Sequence, residues 1–137
     1  MELDGGCYCG AVRYHVSGEP VTRGLCFCRE CQHVSSGGFG AIMAFPNAAF
    51  TYTKGEPKRF TRTDLEVAAT REFCGDCGVQ LTTRSPRAPG MALVKVGTLD
   101  DPDQFGMPDV AIYIDEKRAY HVVPEGVAAF EGRPQRR

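Results

Sequence analysis

Seven cysteines carry most of the chemistry open to this chain: Cys7, Cys9, Cys26, Cys28, Cys31, Cys74 and Cys77. An odd number cannot pair completely within one chain, and clustered thiols in a reducing compartment point to metal binding or catalysis before disulfides. The sharpest local signal is Cys74-Gly75-Asp76-Cys77-Gly78. Two cysteines separated by two residues can wrap the backbone around one metal, and the glycines tolerate the dihedrals of the bend. Such a knuckle supplies two ligands and needs a second pair. Cys7-Tyr8-Cys9, flanked by Gly5, Gly6 and Gly10, is one source, and the denser run Cys26-Phe27-Cys28-Arg29-Glu30-Cys31 is another. Joining Cys7 and Cys9 to Cys74 and Cys77 uses every cysteine and is the preferred partition, although spacing alone does not prove it.

Four thiolates close a structural zinc site, whereas three leave a coordination position open for chemistry. A soft site of three thiolates suits an incoming thiol, which zinc would hold deprotonated. The expected chemistry at Cys26, Cys28 and Cys31 is thiolate delivery to an electrophile such as an aldehyde, or the reverse. Two Zn2+ ions per chain are therefore expected, one structural and one catalytic. Spacing also allows both sites to be structural, with His33 or an acidic residue completing the second, or a triplet used for redox. A non-catalytic zinc scaffold that binds a protein partner is the rival function.

Other residues offer weaker signals. Gln32 and His33, next to the triplet, could orient a ligand, donate to an oxyanion or fill the open position, and His33 reads better as a surface histidine. Ser35, Ser36, Gly37 and Gly38 read as an ordinary loop. Arg13, Arg29 and Arg71 could grip carboxylates in bidentate fashion, although each reads first as a solvated residue. Phe39 and Phe45 are expected in the core, and neither His15 nor His121 is assigned a catalytic role.

These residues must be positioned by a small domain. The chain has 137 residues, is 24% charged and carries a net charge of −1, which suits one soluble domain over 1–137 with a core at about 5–121 and a tail at 122–137. A near-neutral, mixed charge argues against a nucleic-acid surface. Arg133, Arg136 and Arg137 make the tail basic, and a frayed, solvated tail is expected. Acidic residues near Met1 and the lack of a long apolar run argue against a signal peptide or membrane span, so the cytoplasm is the expected compartment.

Short runs rich in β-branched and aromatic residues recur between Gly, Pro, Asn and Asp punctuation. Val12, Tyr14 and Val16 alternate with Arg13 and His15 as in a half-buried strand. Further strand-like runs are expected at 39–45, 50–53, 58–63, 66–73, 79–84, 91–96 and 110–114. The best helical candidate is one turn near Pro46–Phe50. The fold class is mainly β, with antiparallel pairing and a zinc staple. In small zinc peptides, metal binding contributes on the order of 10 kcal/mol or more of folding free energy.

The pattern resembles the glutathione-dependent formaldehyde-activating enzyme family, which includes the centromere protein V type domains. The matching pieces are Gly6-Cys7-Tyr8-Cys9-Gly10-Ala11-Val12-Arg13-Tyr14, Cys26-Phe27-Cys28-Arg29-Glu30-Cys31-Gln32, Phe73-Cys74-Gly75-Asp76-Cys77-Gly78 and Val96-Gly97-Thr98-Leu99-Asp100-Asp101-Pro102. The resemblance implies a β-tent fold, a structural zinc at Cys7, Cys9, Cys74 and Cys77, and a catalytic zinc at Cys26, Cys28 and Cys31. It also implies addition of glutathione to formaldehyde, classed as a carbon–sulfur lyase reaction from the reverse direction. Two family features differ: Ala111 stands where a histidine is frequent, and Tyr120 where a tryptophan is common.

Overall fold

Alternation of apolar and polar residues at period two produces two packed sheets rather than one. The computed structural model describes residues 1–134. The smaller sheet has the order β1-β2-β5, formed by Glu2–Gly6, Arg13–Ser17 and Phe50–Lys54. The larger sheet contains β3 (Thr22–Cys26), β4 (Gly40–Pro46), β6 (Lys58–Thr61), β7 (Thr70–Phe73), β8 (Gln80–Arg84), β9 (Met91–Lys95), β10 (Val110–Ile112) and β11 (Ala128–Phe130). Its strand order is β11-β10-β3-β4-β9-β8-β7-β6.

The core lies between the sheets. Tyr14 and Val16 from the smaller sheet and Met43, Phe45, Leu81, Ala92 and Val94 from the larger are buried there. Each large apolar side chain so buried contributes about 1.5–3 kcal/mol. Tyr14 stacks on Phe50 with centroids 5.1 Å apart, and its hydroxyl shares a 2.7 Å hydrogen bond with the Thr98 hydroxyl. A second polar tie crosses the sheets at Glu72, which is buried. Its carboxylate accepts from the Tyr52 hydroxyl at 3.0 Å, Arg59 Nε at 2.8 Å, Arg84 Nε at 3.1 Å and the Thr82 hydroxyl. Burial opposes the Glu72 charge, but Thr82, Arg84, Arg59 and Tyr52 outweigh it and hold the carboxyl below its ordinary pKa.

Strand register sorts the other face of the large sheet. Cys26 pairs with Gly40, Ile42 with Lys95, Leu93 with Thr83, and Arg71 with both Thr83 and Phe60. Paired residues and their second neighbours share a face, so Cys26, Gly40, Ile42, Lys95, Leu93, Thr83, Arg71 and Phe60 all lie opposite the core. This is the face against which the functional residues assemble.

The expected mainly β architecture is present, with four differences. Pairing of β10 with β3 and with β11 is parallel, so the large sheet is mixed rather than antiparallel. The single turn expected near Pro46–Phe50 is present as a 3-10 turn, Asn47–Ala49, but the α-helix, α1, is elsewhere, at Arg29–Val34. Six residues are too few to show a helical period, and α1 is started instead by Cys28 as its N-cap. The run expected at 66–73 is a strand only from Thr70, and Ala68 and Ala69 before it line a cleft. Within the segment expected as a tail, β11 adds an edge strand and Val123 and Val127 pack on the core. There Arg133 Nη1 donates to the Arg87 carbonyl at 3.0 Å; Arg136 and Arg137 lie outside the described residues.

Candidate metal centre

Two hairpin ends build the first cluster. Between β1 and β2, the Cys7 N–H donates to the Val12 carbonyl at 3.0 Å and the Val12 N–H donates back to Cys7 Sγ at 3.2 Å. Between β7 and β8, the Cys74 N–H donates to the Val79 carbonyl at 3.0 Å. Asp76 and Cys77 N–H groups each lie 3.4 Å from Cys74 Sγ. Both bends contain a glycine in the left-handed region, Gly10 at φ 80° and Gly78 at φ 77°, where a Cβ would be strained. Each turn thus brings two sulfurs to one shared point. One turn belongs to the small sheet and the other to the large.

The Sγ atoms of Cys7, Cys9, Cys74 and Cys77 lie within 4.8 Å of one another. Cys7 to Cys9 and Cys9 to Cys74 are both 3.7 Å. Four sulfurs placed 2.3 Å from one zinc in a tetrahedron stand about 3.8 Å apart. The donor set and spacing therefore fit a four-thiolate zinc, which would clamp the two sheets together.

The second cluster is built around α1. Cys26 ends β3, Cys28 caps the helix and Cys31 lies in its first turn, with Cys31 N–H 3.4 Å from Cys28 Sγ. Cys26 and Cys28 Sγ are 3.3 Å apart. All three sulfurs lie within 4.8 Å of one another, and among the described residues no fourth His, Cys, Asp or Glu ligand atom joins them at that spacing. Three soft donors with one corner open also fit a zinc. Hydrogen bonds from Cys26 and Cys28 bring the Cys31 thiol down to about 3, while hydrogen bonding to Cys28 and Cys31, together with burial, pushes the Cys26 thiol up.

The helix is pinned from below. Gln32 is buried, and its amide Nε2 donates to the Phe27 carbonyl at 2.9 Å and the Glu116 carbonyl at 2.8 Å. Its amide is therefore committed to holding α1, not to a substrate. Ser35 Oγ donates to the Cys31 carbonyl at 2.8 Å. His121, also buried, receives the Arg118 N–H on Nδ1 at 2.9 Å and meets the Gly37 carbonyl through Nε2 at 2.8 Å. That pattern places its proton on Nε2. Its ring packs on Phe27, which in turn packs on Phe39. Phe39 is 37% exposed, so only Phe45 of the expected pair reaches the core.

A family model for the glutathione-dependent formaldehyde-activating enzyme matches residues 2–116. The chain belongs to that family. A protein of Halomonas elongata, provisionally named as a glutathione-dependent formaldehyde-activating enzyme, is 32% identical over 94 residues, which are 65% of this chain. The aligned part spans 60% of that relative's length. A crystal structure of a Rhodobacter sphaeroides protein superposes with a TM-score of 0.59 at 22% identity, covering 77% of this chain and 96% of the other. That likeness concerns the fold.

The structure gathers Cys7, Cys9, Cys74 and Cys77 into one cluster and Cys26, Cys28 and Cys31 into another. It leaves His33 exposed and outside the triplet cluster. Arg13 is taken by a two-pronged pair with Asp100, and Arg29 by Gln32. Arg71 remains on the triplet side, contacting Thr83 Oγ1 at 3.2 Å and Glu30 Oε2 at 3.3 Å. Lys95 has no individual sequence signal; only its strand register places it on this face. Burial pushes its ammonium below the usual range, Cys31 opposes that shift and Arg71 reinforces it.

Proposed function

We propose that this chain is a zinc-dependent enzyme that joins a small thiol, glutathione or a similar one, to formaldehyde or a related carbonyl, and cleaves the same carbon–sulfur bond in reverse. The observation that carries this reading is the inequality of the two cysteine clusters. Cys7, Cys9, Cys74 and Cys77 form a complete four-thiolate set at the junction of both sheets, whereas Cys26, Cys28 and Cys31 form a three-thiolate set around α1, the helix that also lines a cleft through Glu30, His33 and Val34. A non-catalytic scaffold would be expected to close the second set with a fourth side chain.

Zinc held by the triplet would keep a bound thiol deprotonated at neutral pH. Cys26, Cys28 and Cys31 hold the metal, and the N-cap geometry of α1 fixes two of them one helical turn apart. Gln32 and His121 keep that turn from shifting. Arg71 and Lys95 place positive charge on the same face. In the addition, the thiolate sulfur bonds to the carbonyl carbon, the carbonyl pair moves to oxygen, and the proton given up by the thiol returns there. Atoms and electrons balance without an oxidant or reductant.

Support also comes from the family match and from the provisional name of the Halomonas relative. We place the reaction in the cytoplasm, where reduced cysteines persist. No nucleic-acid partner is proposed. The test is adduct formation from glutathione and formaldehyde, followed by NMR in the zinc-loaded protein and in Cys28→Ser. Loss of catalysis with an unchanged fold is expected; a wild-type rate in Cys28→Ser would remove the triplet from the reaction.

A further inference from the structure

A cleft of about 310 Å³ opens between α1 and the β6–β7 hairpin. Five of its nine lining residues are apolar: Val34, Phe60, Leu65, Ala68 and Ala69. Phe60 is 58% exposed and Leu65 38%, so large apolar side chains are spent on a concave surface that water would otherwise fill. A one-carbon carbonyl needs roughly the space of one or two waters, ~30–60 Å³. The cleft is several times larger, and its apolar wall of Val34, Phe60, Leu65, Ala68 and Ala69 stands beside the polar Glu30, His33, Arg62 and Arg71.

Charged side chains, Glu30, Arg62 and Arg71, also line the cleft. Glu30 lines the cleft from within the Cys28–Cys31 turn, and Arg71 lines it from β7. The Arg71 guanidinium is mostly buried, yet its contacts to Thr83 and Glu30 are long, at 3.2 and 3.3 Å. Lys95 shares the same sheet face and, among the described residues, has no carboxylate within 4.0 Å. Glu30 offsets the Arg71 charge and no carboxylate offsets Lys95, so this face keeps net positive charge that an anionic group can meet.

We propose that this cleft, with Arg71 in its wall and Lys95 on the same sheet face outside its lining, binds a carboxylate-bearing thiol adduct whose carbonyl-derived half is an apolar group of several carbons. The carboxylate sits on the two cations, the sulfur faces the triplet, and the apolar group lies against Phe60, Leu65 and Val34. This deepens the proposed function and rests on it for the role of the sulfur. It makes larger apolar carbonyl compounds the preferred partners over formaldehyde.

The test is calorimetric titration of the zinc-loaded chain with S-methylglutathione and S-hexylglutathione. Neither carries a free thiol, so binding is read apart from any reaction, and loss of adduct-forming activity would not affect the result. Burying two of the five added methylenes suffices for about tenfold tighter binding. The expected result is at least tenfold tighter binding of the hexyl compound, abolished in Leu65→Asp at an already exposed position. Lys95→Met should weaken both compounds at least tenfold with zinc content unchanged, and Lys95→Arg should restore them. If Lys95→Met does not fold, Arg71→Leu carries the same charge test. Equal affinities for the two thioethers, or a hexyl preference that survives Leu65→Asp, would overturn the apolar assignment. Wild-type binding in the charge-removing variants would overturn the carboxylate assignment.

Discussion

Gly40→Ala separates the two proposed metal sites with a single methyl group. Gly40 is buried in β4 opposite Cys26, and its φ is not in the left-handed region, so alanine is compatible with the backbone. A Cβ there would stand 3.1 Å from Cys31 Sγ, 3.5 Å from Cys31 Cβ and 3.8 Å from Cys26 Cβ. Ordinary heavy-atom contact lies at about 3.5–4.0 Å, so the Cys31 sulfur must retreat by roughly 0.5 Å. Metal sites tolerate ligand displacements of only about 0.2 Å. Disturbing the support of a ligand typically costs 10–100-fold in affinity, or about 1.4–2.8 kcal/mol. The four-thiolate cluster lies at the knuckles and should be untouched. The assay is competition for zinc against a chromogenic chelator, with thermal melting as a check on the fold. One ion should be held at wild-type affinity and the other at least tenfold more weakly. Two ions held as in the wild type would refute the packing argument.

Other parts of the structure give equally direct expectations. Replacing Glu72 with Gln removes the carboxylate shared by Arg59 and Arg84, and should cost about 1–3 kcal/mol at neutral pH, discounted for the exposure of both arginines. Because the folded pKa of Glu72 is depressed, its stabilisation is present above the unfolded value near 4.3 and lost as pH falls through the folded value. Denaturant melts from pH 7 to 3 should converge for wild type and Glu72→Gln at the acid end; a constant gap would contradict the linkage. Gln32→Leu leaves the Phe27 and Glu116 carbonyls unpaired and should destabilise by about 1–3 kcal/mol, read by denaturant melting. It should also weaken the triplet site alone, and an unchanged chelator titration would show that α1 does not depend on this anchor.

The parts legible in the sequence were those with a short-range signature. Cys74-Gly75-Asp76-Cys77-Gly78 needs its glycine in the left-handed region, and that is where Gly78 lies. The alternation at Tyr14 and Val16 marks a buried face in any sheet. What stayed hidden depends on partners distant in the chain. The parallel pairing of β10 with β3 joins residues about 86 positions apart and has no local pattern. Gln32 looked like a substrate contact because it follows Cys31, yet its amide is taken by a carbonyl from Glu116. Lys95 sits in an apolar run whose alternation does not say which neighbours it meets, and only the register across β3, β4 and β9 sets it on the triplet face. Helix α1 is too short for periodicity and exists through its cap and its anchors.

Two unequal cysteine sites underlie the proposed chemistry, and the most direct measurement of them is zinc per chain in reduced protein before and after a weak chelator. Two ions are predicted at the start, one lost readily and leaving with Cys28→Ser, the other retained unless Cys74 is replaced. One chelator-resistant ion, or two ions equally resistant, would contradict the assignment of a closed site and an open one.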